Sequence, residues 1–357
     1  MKRIAVVTVG LLIGLASPAS ASHKLLHDRP QGPATVRFAA DFPALIDHEW
    51  DFALGGFGGI ESRHPLAHVP VIFIHGNVVD HSDWYPVRDA FKAAGWTDQE
   101  LWAPSYNGIG GNAGGGPNPE RDQERLAQGS DYRGRTTNND LNVPDLYDFI
   151  MAVRAYTGSA KFSIVSHSLG VTIARKTLKV HPELRADLVA FVGIAGGNHG
   201  TSLCPPGSAA HVHSCDELEA DSAWLADLNG PGGADETYGP ATWLTLYDDT
   251  GAVDAAYVGP YAQRPRLEGA DNRAFTGKHH NALRLDADMI ALYRSFLEDA
   301  ETPYLAALGV QVKGTRQTNA KTADDLPATG AGTRALLATA LLALAAAATL
   351  MRRRLLA

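Results

Sequence analysis

Residues 162–171 read Phe162-Ser163-Ile164-Val165-Ser166-His167-Ser168-Leu169-Gly170-Val171. The opening residues are aromatic and β-branched, the pattern of a short buried strand. From Val171 the apolar positions pass to helical spacing through Ala174 and Leu178, so a helix leaves at once. A tight turn centred on Ser168 must join the two. A turn of that kind is strained, and it lifts a serine hydroxyl above the end of a sheet. Strand and helix approach closely there, so the positions two before and two after the serine must be small. Ser166 and Gly170 meet that need. The plain alternative is a serine in an ordinary strand-to-helix loop, and the rest of the chain argues against it.

The flanking text repeats the strand-then-helix pattern. Val71-Ile72-Phe73-Ile74 is a buried strand, followed by Trp84, Val87 and Phe91 at helical spacing and a stop at Gly95. Leu101-Trp102 suggests the next strand. Leu146, Phe149, Ile150 and Val153 form a helical stripe that ends at Gly158. Further strands are expected over 188–194 and 243–247. Met289, Ile290, Leu292, Tyr293 and Phe296 should face inward from a closing helix. This order predicts an α/β domain over residues 22–300, a mainly parallel central sheet with helices on both faces. With 45% apolar and 20% charged residues, a disordered chain and a multi-pass membrane protein are both excluded. A net charge of −8 argues against nucleic acid as partner.

A serine lifted in this way serves as a nucleophile if backbone N–H groups stabilise the negative charge that its attack creates. One donor should be Leu169, directly after it at the helix N-terminus. The other should be Asn77, in His75-Gly76-Asn77 after the strand at 71–74, where the glycine permits a sharp turn. His75 itself is expected to hold the loop by hydrogen bonds rather than to move protons. Four segments carry a family resemblance: Ile74-His75-Gly76-Asn77, Ser166-His167-Ser168-Leu169-Gly170, Gly196-Gly197-Asn198-His199-Gly200 and His280-Asn281-Ala282-Leu283-Arg284. The chain resembles an α/β-hydrolase, most similar to secreted bacterial lipases of class 2 and to related polyester depolymerases. It departs from the family pattern in having Ser166 where a glycine is usual.

In such folds the triad runs serine, then acid, then histidine. The resemblance implies His280 as the base, with neighbouring His279 a surface residue. The acid should follow the strand at 243–247, where Asp248, Asp249 and Asp254 stand. Asp248 lies close to the strand end; Asp254 is favoured and Asp249 is the runner-up. The resemblance implies no cofactor.

Cys204 and Cys215 are expected to form a disulfide in an exported chain, at the rim of the site. His211 and His213 lack the further ligands of a metal site. Residues 107–117, rich in glycine, lack the lysine and hydroxyl residue of a phosphate loop and suit a flap at the pocket mouth.

The two ends carry addresses. Lys2 and Arg3, an apolar run over 4–16 and Ala19-Ser20-Ala21 predict a signal peptide over 1–21. Residues 301–325 read as a linker. Over 326–357, Leu326-Pro327-Ala328-Thr329-Gly330 precedes an alanine-rich apolar run and Arg352-Arg353-Arg354. This resembles a sortase sorting signal, which implies cleavage between Thr329 and Gly330 and covalent attachment to the cell wall. The run also suits a membrane segment before processing, or a plain membrane tail. The combined expectation is a surface serine ester hydrolase acting on ester or lipid substrates. A polyester depolymerase and a non-catalytic wall-displayed adhesin are the alternatives.

Overall fold

A computed structural model describes residues 37–45, 48, 54–59, 65–77, 79–105, 139–207 and 213–305. The signal peptide, the glycine-rich 107–117, His211 and the sorting signal with Thr329 and Gly330 lie outside the described residues, as does the side chain of His213.

Seven strands form one sheet in the order β1-β3-β2-β4-β5-β6-β7. They are β1 (Gly55–Phe57), β2 (Val71–Ile74), β3 (Leu101–Ser105), β4 (Phe162–His167), β5 (Leu188–Ile194), β6 (Thr242–Asp248) and β7 (Asp271–Phe275). Only β1 runs antiparallel to its neighbour. The central strands are buried on both faces, which explains why β2 and β5 read as unbroken apolar runs. Their residues alternate between two cores. Ile72, Ile74, Ile164 and Phe191 pack on one side, while Val71, Phe73, Val165 and Val192 pack on the other.

The first core is closed by α2 (Asn139–Thr157) and α3 (Leu169–Val180), together with α4 (His213–Leu218) and α5 (Ala223–Asn229). The second is closed by α1 (Tyr85–Ala93), the short α6 (Ala282–Leu285) and α7 (Ala287–Leu305). Met289, Ile290 and Tyr293 of α7 are buried, and Leu292 and Phe296 pack half-buried beside them. This is the α/β-hydrolase architecture.

The helix α7 runs past residue 300, where the folded domain was expected to end. Glu301 is buried, and its carboxylate accepts hydrogen bonds from Val69 N at 2.7 Å and from His68 Nδ1 at 2.6 Å. The folded domain therefore includes residues 301–305. No helix among the described residues is long and apolar enough to cross a membrane.

Candidate active site

Ser168 stands between β4 and α3 with φ 56° and ψ −126°. A non-glycine residue in that region costs about 1–3 kcal/mol and persists only when its surroundings dictate it. Here they do. Ser168 N donates to Ile194 O at 2.8 Å, and Val171 N donates to Ser168 O at 3.1 Å. Ser166, at the position where glycine is usual, is fully buried and donates its hydroxyl to Val192 O at 3.1 Å. It lies opposite Gly193 on β5, so the extra atoms fit.

The turn after β2 packs against this elbow. A Cβ on Gly170 would lie 2.4 Å from His75 O and 2.7 Å from Ile74 O, so only glycine lets α3 approach the loop. A Cβ on Gly76 would lie 2.9 Å from Ser168 Cβ. Gly76 thus rests on the serine, and Asn77 follows it in the turn. Leu169 supplies the first residue of α3, whose leading N–H groups have no partner within the helix. The α3 dipole adds positive potential at the same point. Buried His75 donates from Nδ1 to Gly76 O at 2.9 Å. Burial holds its pKa down at about 4, so it is neutral and structural at working pH.

His280 arrives on the loop between β7 and α6. Its Nδ1–H points between the two oxygens of Asp254, each 3.0 Å away. Asp254 is 1% exposed, and Oδ1 also accepts Ala256 N at 2.9 Å, which fixes the carboxylate. Exposed His279 donates from Nδ1 to Val253 O at 3.0 Å, so the loops bearing Asp254 and His280 are joined twice. Asp248 and Asp249 bond elsewhere. Asp248 accepts Gly277 N at 2.7 Å and the Thr250 hydroxyl at 2.5 Å. Asp249 is exposed and accepts the Thr276 hydroxyl at 3.1 Å.

Three residues outside the expected set hold these loops. Arg284 is buried on α6; its guanidinium donates to Asp83 O at 2.7 Å and lies 5.3 Å over the Trp84 ring. That ties the base loop to the turn beyond Asn77. Tyr257 donates its hydroxyl to Ala195 O at 2.7 Å, beside another left-handed residue, Ala195 with φ 47°. Its ring lies 6.1 Å from that of His280. Fully buried Arg175 on α3 donates to Asn198 Oδ1 at 3.1 Å and Asn229 Oδ1 at 2.8 Å. It thereby holds the segment 196–200 against the nucleophile helix. Arg284 was legible as part of a motif; nothing in the sequence marked Arg175 or Tyr257.

Cys204 and Cys215 form a disulfide with Cα atoms 5.2 Å apart. The preceding Thr201 donates its hydroxyl to Ala256 O at 2.6 Å, which joins the disulfide loop to the acid loop. Among the described residues no three His, Cys, Asp or Glu side chains gather as a metal site.

Residues 128–251, which span β4, Ser168 and α3, match the family model of class 2 lipases. That segment is similar to the class 2 lipases. The matched segment covers the centre of the sheet, from the helix before β4 to the end of β6. Residues 318–354 match the LPXTG cell wall anchor motif, so the protein is exported and anchored to the cell wall. No curated protein matches the chain. Among solved structures it is similar to lipase B of Aspergillus fumigatus, at 19% identity and a TM-score of 0.46, over 69% of this chain and 57% of that one. The mature lipase BlEst2 of Bacillus licheniformis aligns at 18% identity and a TM-score of 0.43, over 68% of this chain and 97% of that one. Phospholipase PlaB of Legionella pneumophila aligns at 15% identity and a TM-score of 0.42, over 68% of this chain and 63% of that one.

Proposed function

We propose that the lipase-type domain hydrolyses carboxylic esters at the cell surface through a Ser168–His280–Asp254 triad and an acyl-enzyme. The observation that carries this is the seat of His280 Nδ1 between both oxygens of a buried carboxylate, 3.0 Å from each. A histidine so held keeps its proton on Nδ1 and leaves Nε2 free to act as a base.

In this reading Ser168 Oγ attacks the ester carbonyl carbon while His280 Nε2 takes the hydroxyl proton. The carbonyl electron pair moves to oxygen, where the backbone N–H groups of Leu169 and Asn77 receive it. Each such donor contributes about 10²–10³ in rate. Collapse of the tetrahedral intermediate breaks the bond to the alcohol, which leaves with the His280 proton. Water then attacks the acyl group by the same relay, releasing the acid and restoring Ser168. Asp254 stabilises the imidazolium in both halves.

An organophosphonate ester tests the triad. The folded protein should lose ester hydrolysis as it gains one phosphonyl group, and the modified peptide should contain Ser168. Modification elsewhere, with Ser168 untouched and activity lost, contradicts the assignment.

The anchor reading extends to its scissile bond, between Thr329 and Gly330. Attachment through Thr329 lets a large or insoluble ester be hydrolysed outside the cell. Wall-degrading enzyme should release activity from cells carrying the native protein but not from cells carrying Thr329→Ala. Equal release from both would move the anchor point.

A further inference from the structure

His167 precedes the nucleophile and has no part in the triad, yet it is the side chain that joins the nucleophile strand to the base. It is 3% exposed, and its Nε2 lies 3.1 Å from the backbone oxygen of His280. A carbonyl oxygen only accepts, so Nε2 carries the proton. The imidazole centroids of His167 and His280 are 4.6 Å apart. Nδ1 of His167 is buried with no hydrogen-bond partner, and a Cβ on Gly76 would lie 3.4 Å from it. An acceptor left unpaired in the interior costs stability, so packing alone does not favour histidine here.

We infer that His167 is a positioning residue for ester hydrolysis, holding the main chain of His280 in place for the proton transfer from Ser168. The inference rests on the triad reading above. His280 then has two anchors: Asp254 on its ring and His167 on its carbonyl. One fixes the ring's rotation; the other fixes how far the loop stands from the elbow. Neutrality is part of the design. Burial first, then the proximity of His280 and Arg284, holds the His167 pKa well below the ordinary histidine value. A charged donor at this spot would repel the imidazolium that His280 becomes during turnover. His167 gives the hydrogen bond without adding charge.

The test is a set of three substitutions that differ in where they can donate. Glutamine places an amide nitrogen near the position of histidine Nε2; asparagine reaches only as far as Nδ1; leucine donates nothing. With a soluble short-chain p-nitrophenyl ester, His167→Leu and His167→Asn should lower kcat roughly 10- to 100-fold with KM little changed, since small misplacements cost that much. His167→Gln should keep kcat within a few-fold of the native value. Wild-type kcat in folded His167→Leu overturns the inference. So does an equal fall in all three variants, or loss of folded protein in all three by circular dichroism, because either result makes the residue part of the packing. A Ser168→Ala control separates the two levels: turnover surviving there removes the triad reading, whereas wild-type kcat in His167→Leu beside an inactive Ser168→Ala removes only the positioning role.

Discussion

Asp254 and His280, 26 positions apart in sequence, meet with both carboxylate oxygens 3.0 Å from Nδ1. Asp254 lies four residues beyond Thr250, which caps the turn by hydrogen-bonding Asp248. That turn carries the chain past the end of β6 and gives the later carboxylate its reach. Asp249, nearer the strand, faces Thr276 on the exposed side instead.

Substitution at the two aspartates should therefore divide cleanly. Asp254→Asn should lower kcat about 10³- to 10⁴-fold, because the amide favours the wrong histidine tautomer while keeping the shape. Asp249→Asn should leave kcat within about two-fold. Steady-state kinetics on one chromogenic ester decides it, and the reverse pattern would move the acid to Asp249.

Acid should weaken the fold through histidines kept neutral by burial. His75, His81 and His167 all have pKa values lowered by burial, His75 to about 4 from 6.5. The unfolded chain protonates them first, so their contribution is complete above about pH 6.5 and is lost as the pH falls towards the folded values. For His75 alone the loss approaches about 3 kcal/mol. His68 opposes this: its pKa is raised despite burial by its pairing with Glu301, and its contribution is full below 6.5. Raised by burial, the Glu301 pKa also favours the acid side. Three buried rings against one latch give a net fall. Urea midpoints should drop between pH 7 and pH 4.5, and a flat profile over that span would show that these rings are not held neutral.

What the sequence made legible followed from burial. Strands β2, β4 and β5 lie inside the sheet and need apolar residues on both faces, so they read clearly. The two edges did not. β1 has three residues, two of them glycine, and β7 reads Asp-Asn-Arg-Ala-Phe with exposed Asp271, Arg273 and Ala274. Backbone pairing to β3 and β6 makes them strands, and side-chain pattern does not report pairing. The end of the fold was misread for a similar reason. Glu301 opens a stretch with no sustained apolar period, yet it is buried against His68 and the Val69 amide, partners more than 200 positions earlier. Ser168 was visible because strain at an elbow demands small neighbours at fixed offsets. Which of Asp248, Asp249 and Asp254 pairs with His280 depends on the path of one loop, and the contact of His167 depends on which carbonyl it faces.

The central claim is that Ser168 occupies a strained conformation for the sake of its hydroxyl. Its φ of 56° suits glycine better than serine. The most direct measurement takes Ser168→Gly and records thermal stability and ester turnover on the same sample. Relief of backbone strain, offset in part by the freer unfolded chain, should stabilise the variant by about 1 kcal/mol. Turnover should fall about 10⁴-fold or more with the nucleophile gone. A folded Ser168→Gly protein that hydrolyses esters at the native rate would contradict the account.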